Sequence, residues 1–230
     1  MAATDTPDHT PAPARAGDPS ERLPLRERKK LRTRRTLIDT ALELFTERGF
    51  DGATLDELCD AVEVSKRTFF RYFASKEDVA MAPTQDLWAV FLDDLETREP
   101  HGGTVLEMLQ AALFAALERM TDEDWARRVR LSRRLAAETP SMDAHGLHFC
   151  DRTVRGAADI LGRRLRVDGP EDGLRLRLAI DFFVAAHRRA LDAWVDLPDA
   201  PGRDALAAET RRVFAAVPGV PGLPAEPRAV

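Results

Sequence analysis

The chain has 230 residues, of which 44% are hydrophobic, and a formal net charge of −5 from 34 basic and 39 acidic residues. This length and composition allow one large or two small packed domains. The acidic balance argues against a protein that binds nucleic acid over its whole surface.

Positive charge is concentrated near the start of the chain. Residues 22–35 contain eight basic residues and one acid, which give a local charge of +7 and leave −12 for the rest. Such a run can be a solvated helix face, but beside a DNA-reading motif it indicates contact with nucleic acid at one end. Arg34 lies in this run and is a candidate DNA contact.

The remaining composition argues for a reduced, non-membrane protein. Cys59 and Cys150 are too few for the disulfide framework of a secreted domain, so both are expected to be reduced in the cytoplasm. Residues 1–24 are rich in Ala, Pro, Thr and Asp and lack the apolar segment of a signal peptide. No apolar run reaches about 18 residues, so no membrane-spanning helix is expected.

The chain is predicted to be all-α, because no strand-like alternation of convincing length occurs. A first helix is expected over about 26–48, with Gly49 in the left-handed conformation that ends many helices. Thr54 and Glu57 form a capping box that begins a second helix. Ser65 is suited to cap a third.

The third helix, predicted to run to about Phe73, has an aromatic face and a basic face. Phe69 and Phe73 are one turn apart and are expected to pack into the core. Its outward positions supply charge for phosphates and forked donors for guanine edges. We therefore expect a helix-turn-helix whose second helix enters the major groove. The residues expected to contact DNA on these grounds are Lys66, Arg67, Thr68 and Arg71.

This segment resembles the TetR family of one-component repressors. The matching pattern is Leu-Phe-x-x-x-Gly-Phe from Leu44, Thr-x-x-x-Leu from Thr54, and Val-Ser-x-x-Thr-Phe-Phe-x-Tyr-Phe-x-Ser-Lys-Glu-Asp from Val64. The resemblance covers about residues 28–80. It implies a homodimer of about nine helices per chain that binds a pseudo-palindromic DNA operator and a small-molecule effector.

The resemblance also implies further DNA contacts. Thr54 and Lys76 match residues that hold phosphates, while Ser65 and Phe70 match residues at the groove. Phe70 replaces the usual phosphate-bonding Tyr, so its contact is expected to be apolar. Tyr72 carries a hydroxyl on a different face and completes the candidate DNA contacts.

One further departure from the family pattern is Glu63. It stands where the helix-turn-helix usually has Gly, and a positive φ at a non-Gly residue costs roughly 1 kcal/mol.

The later helices are predicted from caps and breakers. Ser75 is expected to cap a fourth helix, which Pro83 should kink or restart. Thr104 is expected to cap a fifth, and Pro140 to open the seventh, whose glycines predict irregularity. Gly169 and the following Pro are expected to open the eighth.

The eighth helix is apolar nearly all round in its middle, which predicts burial on two sides. One side can pack on the monomer core and the other on a second copy; ordinary monomer core is the alternative. The residues expected to line a ligand pocket, or simply the core, are Trp88, Phe91, Phe114, Arg130, Phe149 and Phe182. From the resemblance, the effector is expected to be hydrophobic with an anionic part, such as an acyl-CoA.

Other chemistries are disfavoured. His145, His148 and Cys150 have a spacing that can bind metal, but Gly146 and the scarcity of nearby carboxylates argue against a site, so no metal or cofactor is expected. No phosphate loop, nucleophile elbow or deaminase signature occurs, so the protein is not expected to be an enzyme. An architectural helix-turn-helix protein without ligand control is the competing function.

The expected organisation has four parts. Residues 1–24 form a disordered arm, 25–80 the helix-turn-helix DNA-binding domain, 81–217 a helical ligand-binding and dimerisation domain, and 218–230 a flexible tail.

Overall fold

The computed structural model describes residues 24–100 and 102–222, so the expected arm lies outside it except for Pro24. Within these residues the chain is helical and contains no strand, which confirms the all-α prediction. The helices are α1 Leu25–Arg48, α2 Leu55–Ala61, α3 Lys66–Phe69, α4 Lys76–Thr97, α5 Val105–Arg119, α6 Trp125–Glu138, α7 Pro140–Arg164, α8 Pro170–Val195 and α9 Arg203–Ala216, followed by a 3₁₀ helix Val217–Gly222.

Several helices begin at the caps predicted from the sequence. The Thr54 hydroxyl accepts a hydrogen bond from the Glu57 amide at 3.2 Å, and the Glu57 carboxylate accepts one from the Thr54 amide at 2.8 Å. Thr104 begins α5 with the same reciprocal pair. The Ser75 hydroxyl accepts a hydrogen bond from the amide of Asp78, the third residue of α4. Each such cap stabilises its helix by about 1 kcal/mol.

The turn between α2 and α3 contains the strain expected at Glu63. Its φ is 55°, in the left-handed region that disfavours side chains. The amide of the following residue, Val64, donates to the carbonyl of Cys59 at 2.9 Å and closes the turn. The helix-turn-helix therefore forms with an acidic residue at a position that suits Gly.

Three predicted helix details were wrong. α3 ends at Phe69, and residues up to Phe73 continue as turns in which Tyr72 donates to the Phe69 carbonyl at 2.8 Å. α4 continues through Pro83 as one helix, so Pro83 does not restart it, and residues 79–83 are buried. α7 is also unbroken; Gly146 lets α4 approach, since a Cβ there would lie 2.9 Å from the methyl group of Met81.

The buried side chains form two hydrophobic clusters. The first, which we call the head, comprises α1 to α3 with the start of α4 up to Ala82, and is closed by Leu135, Ala136 and Met142. The second, which we call the body, comprises α4 from Leu87 onward with α5 to α9. Because α4 contributes to both cores, a displacement of the middle of α4 also changes the packing of its first turns in the head.

Candidate DNA-binding surface and buried polar cluster

The short helix α3 separates its aromatic and basic residues as the sequence predicted. Phe69 and Phe73 are buried in the head, whereas Lys66, Arg67 and Arg71 are exposed. Phe69 forms the floor on which an exposed ring, Phe70, packs edge-on at 5.4 Å. The result is a cationic surface with an apolar side chain at its centre.

Phe70 is 55% exposed, although it is a large apolar residue. An exposed aromatic ring among cations is suited to a thymine methyl group or a sugar. Arg67 and Arg71 form no ion pair with any residue in the described part of the chain, so both guanidinium groups are open to phosphates or base edges.

The other polar residues of this surface are engaged locally. The Ser65 hydroxyl accepts from the Thr68 amide at 3.1 Å and lies 3.0 Å from the Thr68 hydroxyl. The Lys66 ammonium lies 2.7 Å from the carboxylate of Asp56, which raises the pKa of Lys66. DNA must therefore compete with Asp56 for this lysine, and the two hydroxyls are positioned by the cap of α3.

Lys76 does not extend towards solvent as a free cation. Its ammonium donates to the carbonyl oxygens of Phe50 at 2.7 Å and of Ala53 at 2.5 Å, and it lies 4.6 Å from the Phe50 ring centre. The ammonium thereby holds the connection between α1 and α2, and the contact of Lys76 with phosphate stays a prediction. The Thr54 hydroxyl beside it is exposed but occupied by the capping box.

Arg34 also has partners within the protein. Its two terminal nitrogens donate to the two carboxylate oxygens of Asp86 at 2.8 Å each, and its guanidinium carbon lies 5.2 Å from the Phe73 ring centre. Arg34 is thus bound between the head and α4, and its contact with DNA stays a prediction. Tyr72 is half-buried against the head, with its ring centre 6.4 Å from that of Phe73.

A second set of ion pairs joins the head to the body. Arg128 of α6 is only 5% exposed and contacts Asp39 of α1 at 3.2 Å as well as Asp122. Arg35 of α1 reaches Asp122 at 2.9 Å and Asp124 at 3.4 Å. Part of the basic run therefore binds the acidic edge of the body.

In the body, two of the expected pocket residues belong to a stack of rings. Trp88 meets Phe91 edge-on at 5.2 Å, and Phe91 lies parallel to Phe183 at 5.3 Å. Phe183 in turn stacks on Phe214 at 5.5 Å. Phe183 and Phe214 were missed as candidate site residues because their apolar spacing also fits ordinary core.

The other expected pocket residues do not join this stack. Phe182 is 49% exposed, because one step along α8 turns it about 100° away from the buried Phe183. The half-buried Phe114 lies under the guanidinium of Arg211 at 4.8 Å, and Phe149 under that of Arg152 at 5.7 Å. Phe114 and Phe149 nevertheless pack against the same hydrophobic cluster as Trp88 and Phe91, whereas Phe182 lies on the surface of the single chain.

Sequence reasoning missed several buried polar atoms, those of Thr84, His187 and Thr210, which we name together the buried polar cluster. Of the three residues, His187 lies beside the ring stack. The Thr84 hydroxyl, both ring nitrogens of His187 and the Thr210 hydroxyl are buried and have no hydrogen-bond partner in the part of the chain that the structure describes. The Nε atom of Arg130 is likewise buried and has no hydrogen-bond partner among the described residues. A single His within an apolar helix offers no motif that could have flagged it.

His187 is 2% exposed and its ring lies 5.4 Å from that of Trp88. Burial, and secondarily the positive charge of Arg133, lowers the pKa of His187 to about 4. The ring is therefore neutral near pH 7, with one nitrogen as donor and the other as acceptor. Arg133 itself is paired with Asp192 of α8.

A surface pocket of about 430 Å³ lies elsewhere, between the end of α4 and the start of α5. Its lining includes Arg98, Val105, Met108 and Leu165, and none of the residues expected to bind ligand. No helix of the described residues has both the length and the apolar character needed to cross a bilayer.

Comparison with known proteins identifies the segment that carries the cationic surface. Residues 37–82 match the model of the bacterial regulatory proteins, tetR family. The HTH-type transcriptional regulator TcmR of Streptomyces glaucescens is 37% identical over 198 residues, which cover 84% of this chain and 83% of that protein. The biofilm operon icaADBC HTH-type negative transcriptional regulator IcaR of Staphylococcus epidermidis is 32% identical over 59 residues. This alignment covers 26% of this chain and 32% of that protein.

Among solved structures, the TetR-family repressor FadR of Thermus thermophilus, crystallised with lauroyl-CoA, is 22% identical. The alignment covers 86% of this chain and 98% of that one, with a TM-score of 0.48.

Proposed function

Because the chain belongs to the tetR family of bacterial regulatory proteins, we propose that it is a dimeric transcriptional repressor that a small molecule releases from its operator. The observation that carries this proposal is the outward surface of α3 and of the turn that follows it, where Arg67, Phe70 and Arg71 are exposed. A buried aromatic face fixes the helix on the head, so the cationic face is presented to a major groove.

Dimerisation is supported by an exposed apolar stripe on α8. Leu174, Leu178 and Phe182 are spaced four residues apart and are 56%, 47% and 49% exposed. Three large apolar side chains on one helix face are a typical protein-binding surface. We propose that a second copy covers them, which would place two α3 helices against successive major grooves about 34–36 Å apart.

Effector control is supported by the shared position of α4. Its first turns pack in the head and its later turns pack against the ring stack of the body. A molecule that moves α4 in the body changes the distance between the two α3 helices. Such an effector binds the DNA-incompetent state more tightly, with a coupling of typically about 1–3 kcal/mol. A long-chain acyl-CoA, expected from the sequence, is one candidate.

The same proposal places the protein in the cytoplasm, where a bacterial operator lies, and assigns it regulation of transcription rather than catalysis. The body supports this division of labour, because its residues 87–222 carry 22 acidic and 19 basic side chains and so have no excess of positive charge.

The test is selection of bound DNA from a random library, followed by titration of the selected site with the full chain. We expect a pseudo-palindrome with half-sites one helical turn apart, bound by a dimer, and release from it by a small molecule. Binding without half-site preference would favour the architectural alternative.

A further inference from the structure

We propose that Asp56 of α2 determines operator specificity together with Lys66 of α3. The two side chains read one G·C base pair, with the ammonium bound to the guanine and the carboxylate to the amino group of the cytosine. The inference rests on the proposed function and deepens it, since it names what one end of the cationic surface recognises. Its basis is the ion pair between the two side chains, whose ammonium nitrogen and carboxylate oxygen lie 2.7 Å apart.

Lys66 lies at the end of α3 that approaches the bases. It is the first residue of the helix, directly after the cap at Ser65. In helix-turn-helix proteins the N-terminal residues of the second helix contact base edges, whereas the first helix crosses the backbone. Asp56 lies in the first turn of α2. The ion pair therefore brings an acid of the first helix to the base-reading end of the second.

Both charged groups are accessible to a duplex. The side chains of Lys66 and Asp56 are 54% and 66% exposed, and an ion pair this exposed contributes little to stability. The start of α2 does not depend on Asp56 either, because Glu57 supplies the carboxylate of the capping box. The pair is thus available for recognition and is not needed to hold the fold together.

The carboxylate of Asp56 restricts which duplex can approach this surface. Phosphates repel a carboxylate, so an acid at this place lowers the affinity for DNA of any sequence. In the major groove only a hydrogen-bond donor offsets that loss, and the donors there are the amino groups of cytosine and adenine. Asp56 therefore favours a duplex that presents one of these amino groups next to an acceptor for Lys66.

A G·C base pair presents this combination. Its major-groove edge carries two adjacent acceptors, guanine N7 and O6, followed by the N4 amino group of cytosine. O6 and N4 are hydrogen-bonded to each other within the base pair and so lie about 2.9 Å apart, close to the spacing of the ion pair. In an A·T pair the adenine amino group separates the two acceptors, so an ammonium beside Asp56 reaches only one of them.

The two side chains can bind a base pair without separating. An ammonium has three donors and a carboxylate about four acceptor sites, so each group can keep its partner and still contact a base. The carboxylate also holds the flexible lysine stem in one position, which lowers the entropic cost of recognition. Asp56 thereby turns a mobile point charge into a contact with a defined direction.

The test uses the full chain and the operator that it selects from a random library, with each base pair of a half-site replaced in turn. We expect one G·C position at which replacement by A·T weakens binding by the wild type about tenfold. Asp56→Ala should reduce that ratio to about twofold or less, raise the affinity for a random duplex, and leave the other positions unchanged. The matched control is Asp60→Ala, which removes an exposed acid one helical turn along α2 and should keep the tenfold ratio.

The same assay tests whether the two side chains act as a unit. Lys66→Ala and the double variant should lose the same discrimination as Asp56→Ala, because either change destroys the pair, whereas independent contacts would give losses that add. Asp56→Glu keeps the charge but moves the carboxylate by one methylene group, so it should also reduce the tenfold ratio. If Asp56→Ala does not fold in a thermal unfolding assay, Asp56→Glu provides the same readout.

Three results overturn the inference. They are equal discrimination by wild type, Asp56→Ala and Asp56→Glu at every position, a relaxed position that is A·T in the selected operator, and equal effects of Asp56→Ala and Asp60→Ala. The last would show that the acid acts only through its charge. An operator selected without dependence on Asp56 leaves the proposed function standing, whereas failure of the wild type to select any operator contradicts that function and the inference together.

Discussion

Arg34 of α1 holds Asp86 of α4 in a two-pronged ion pair, with both nitrogen–oxygen distances at 2.8 Å. The pair joins the head to the helix that continues into the body. Since the two side chains are 31% and 41% exposed, its contribution to stability is small, but its two parallel hydrogen bonds favour one orientation of α4 relative to α1.

Asp86→Asn should lower operator affinity several-fold while lowering the free energy of unfolding by less than about 1 kcal/mol. The reason is a head that is less firmly oriented on the body. Fluorescence anisotropy with a labelled operator and urea denaturation measure the two effects. The control is Asp93→Asn, which removes an ion pair between Asp93 of α4 and Arg119 of α5 on the surface of the body. An increase in affinity would instead mean that the released Arg34 contacts phosphate.

Glu63→Gly should raise the free energy of unfolding by up to about 1 kcal/mol, because it removes the strain of a left-handed side-chain residue. The greater flexibility of Gly in the unfolded chain offsets part of this gain. Urea denaturation checks it against Glu47→Gly, which places Gly in the last turn of α1 and should be destabilising by less than about 1 kcal/mol. A loss of stability in Glu63→Gly would contradict the strain.

Arg67→Ala and Lys76→Ala should affect different properties, operator binding in the first variant and stability in the second. Arg67 is exposed and unpaired, so its removal should cost about 1–3 kcal/mol of operator binding and relax base preference, with stability unchanged. Lys76 holds two carbonyl groups, so its removal should lower stability by about 1–3 kcal/mol. Mobility-shift and thermal unfolding assays on both variants separate the roles. If Lys76→Ala were as stable as the wild type but bound DNA more weakly, the result would show that Lys76 contacts a phosphate.

Phe182→Glu should convert the dimer to a monomer, because it places a charge on the apolar stripe of α8 that a second copy is proposed to cover. Sedimentation velocity at micromolar concentration measures the change. Leu31→Glu makes the same kind of substitution at an exposed leucine of α1 and should leave the dimer intact. A dimeric Phe182→Glu would place the interface elsewhere.

The burial of His187 predicts a specific pH dependence of stability. Above pH 6.5 the ring is neutral in both folded and unfolded states; below it, only the unfolded chain binds a proton until the folded pKa of about 4 is reached. Stability is therefore lost as the pH falls from 6.5 to about 4, by about 3 kcal/mol in total. Urea denaturation of wild type and His187→Phe at pH 7 and 4.5 isolates this term, since other groups titrate equally in both. Parallel losses in the two proteins would contradict it.

Local patterns in the sequence were sufficient for most of the fold. The caps at Thr54, Ser75 and Thr104, and the two faces of α3, depend on residues within one or two turns of each other. Interactions of that range are encoded by spacing alone, so they could be predicted without knowing which helices meet.

Tertiary structure alone decided what several of the same residues do. Arg34 meets a carboxylate 52 positions away, and Lys76 meets carbonyl groups 23 and 26 positions away. Two cations that the basic run and the family resemblance assigned to DNA therefore also have partners within the protein. Phe183 and Phe214 stack only when α8 and α9 fold back on each other. Spacing cannot encode such meetings, because the rotation and register of packed helices depend on side chains from the whole core.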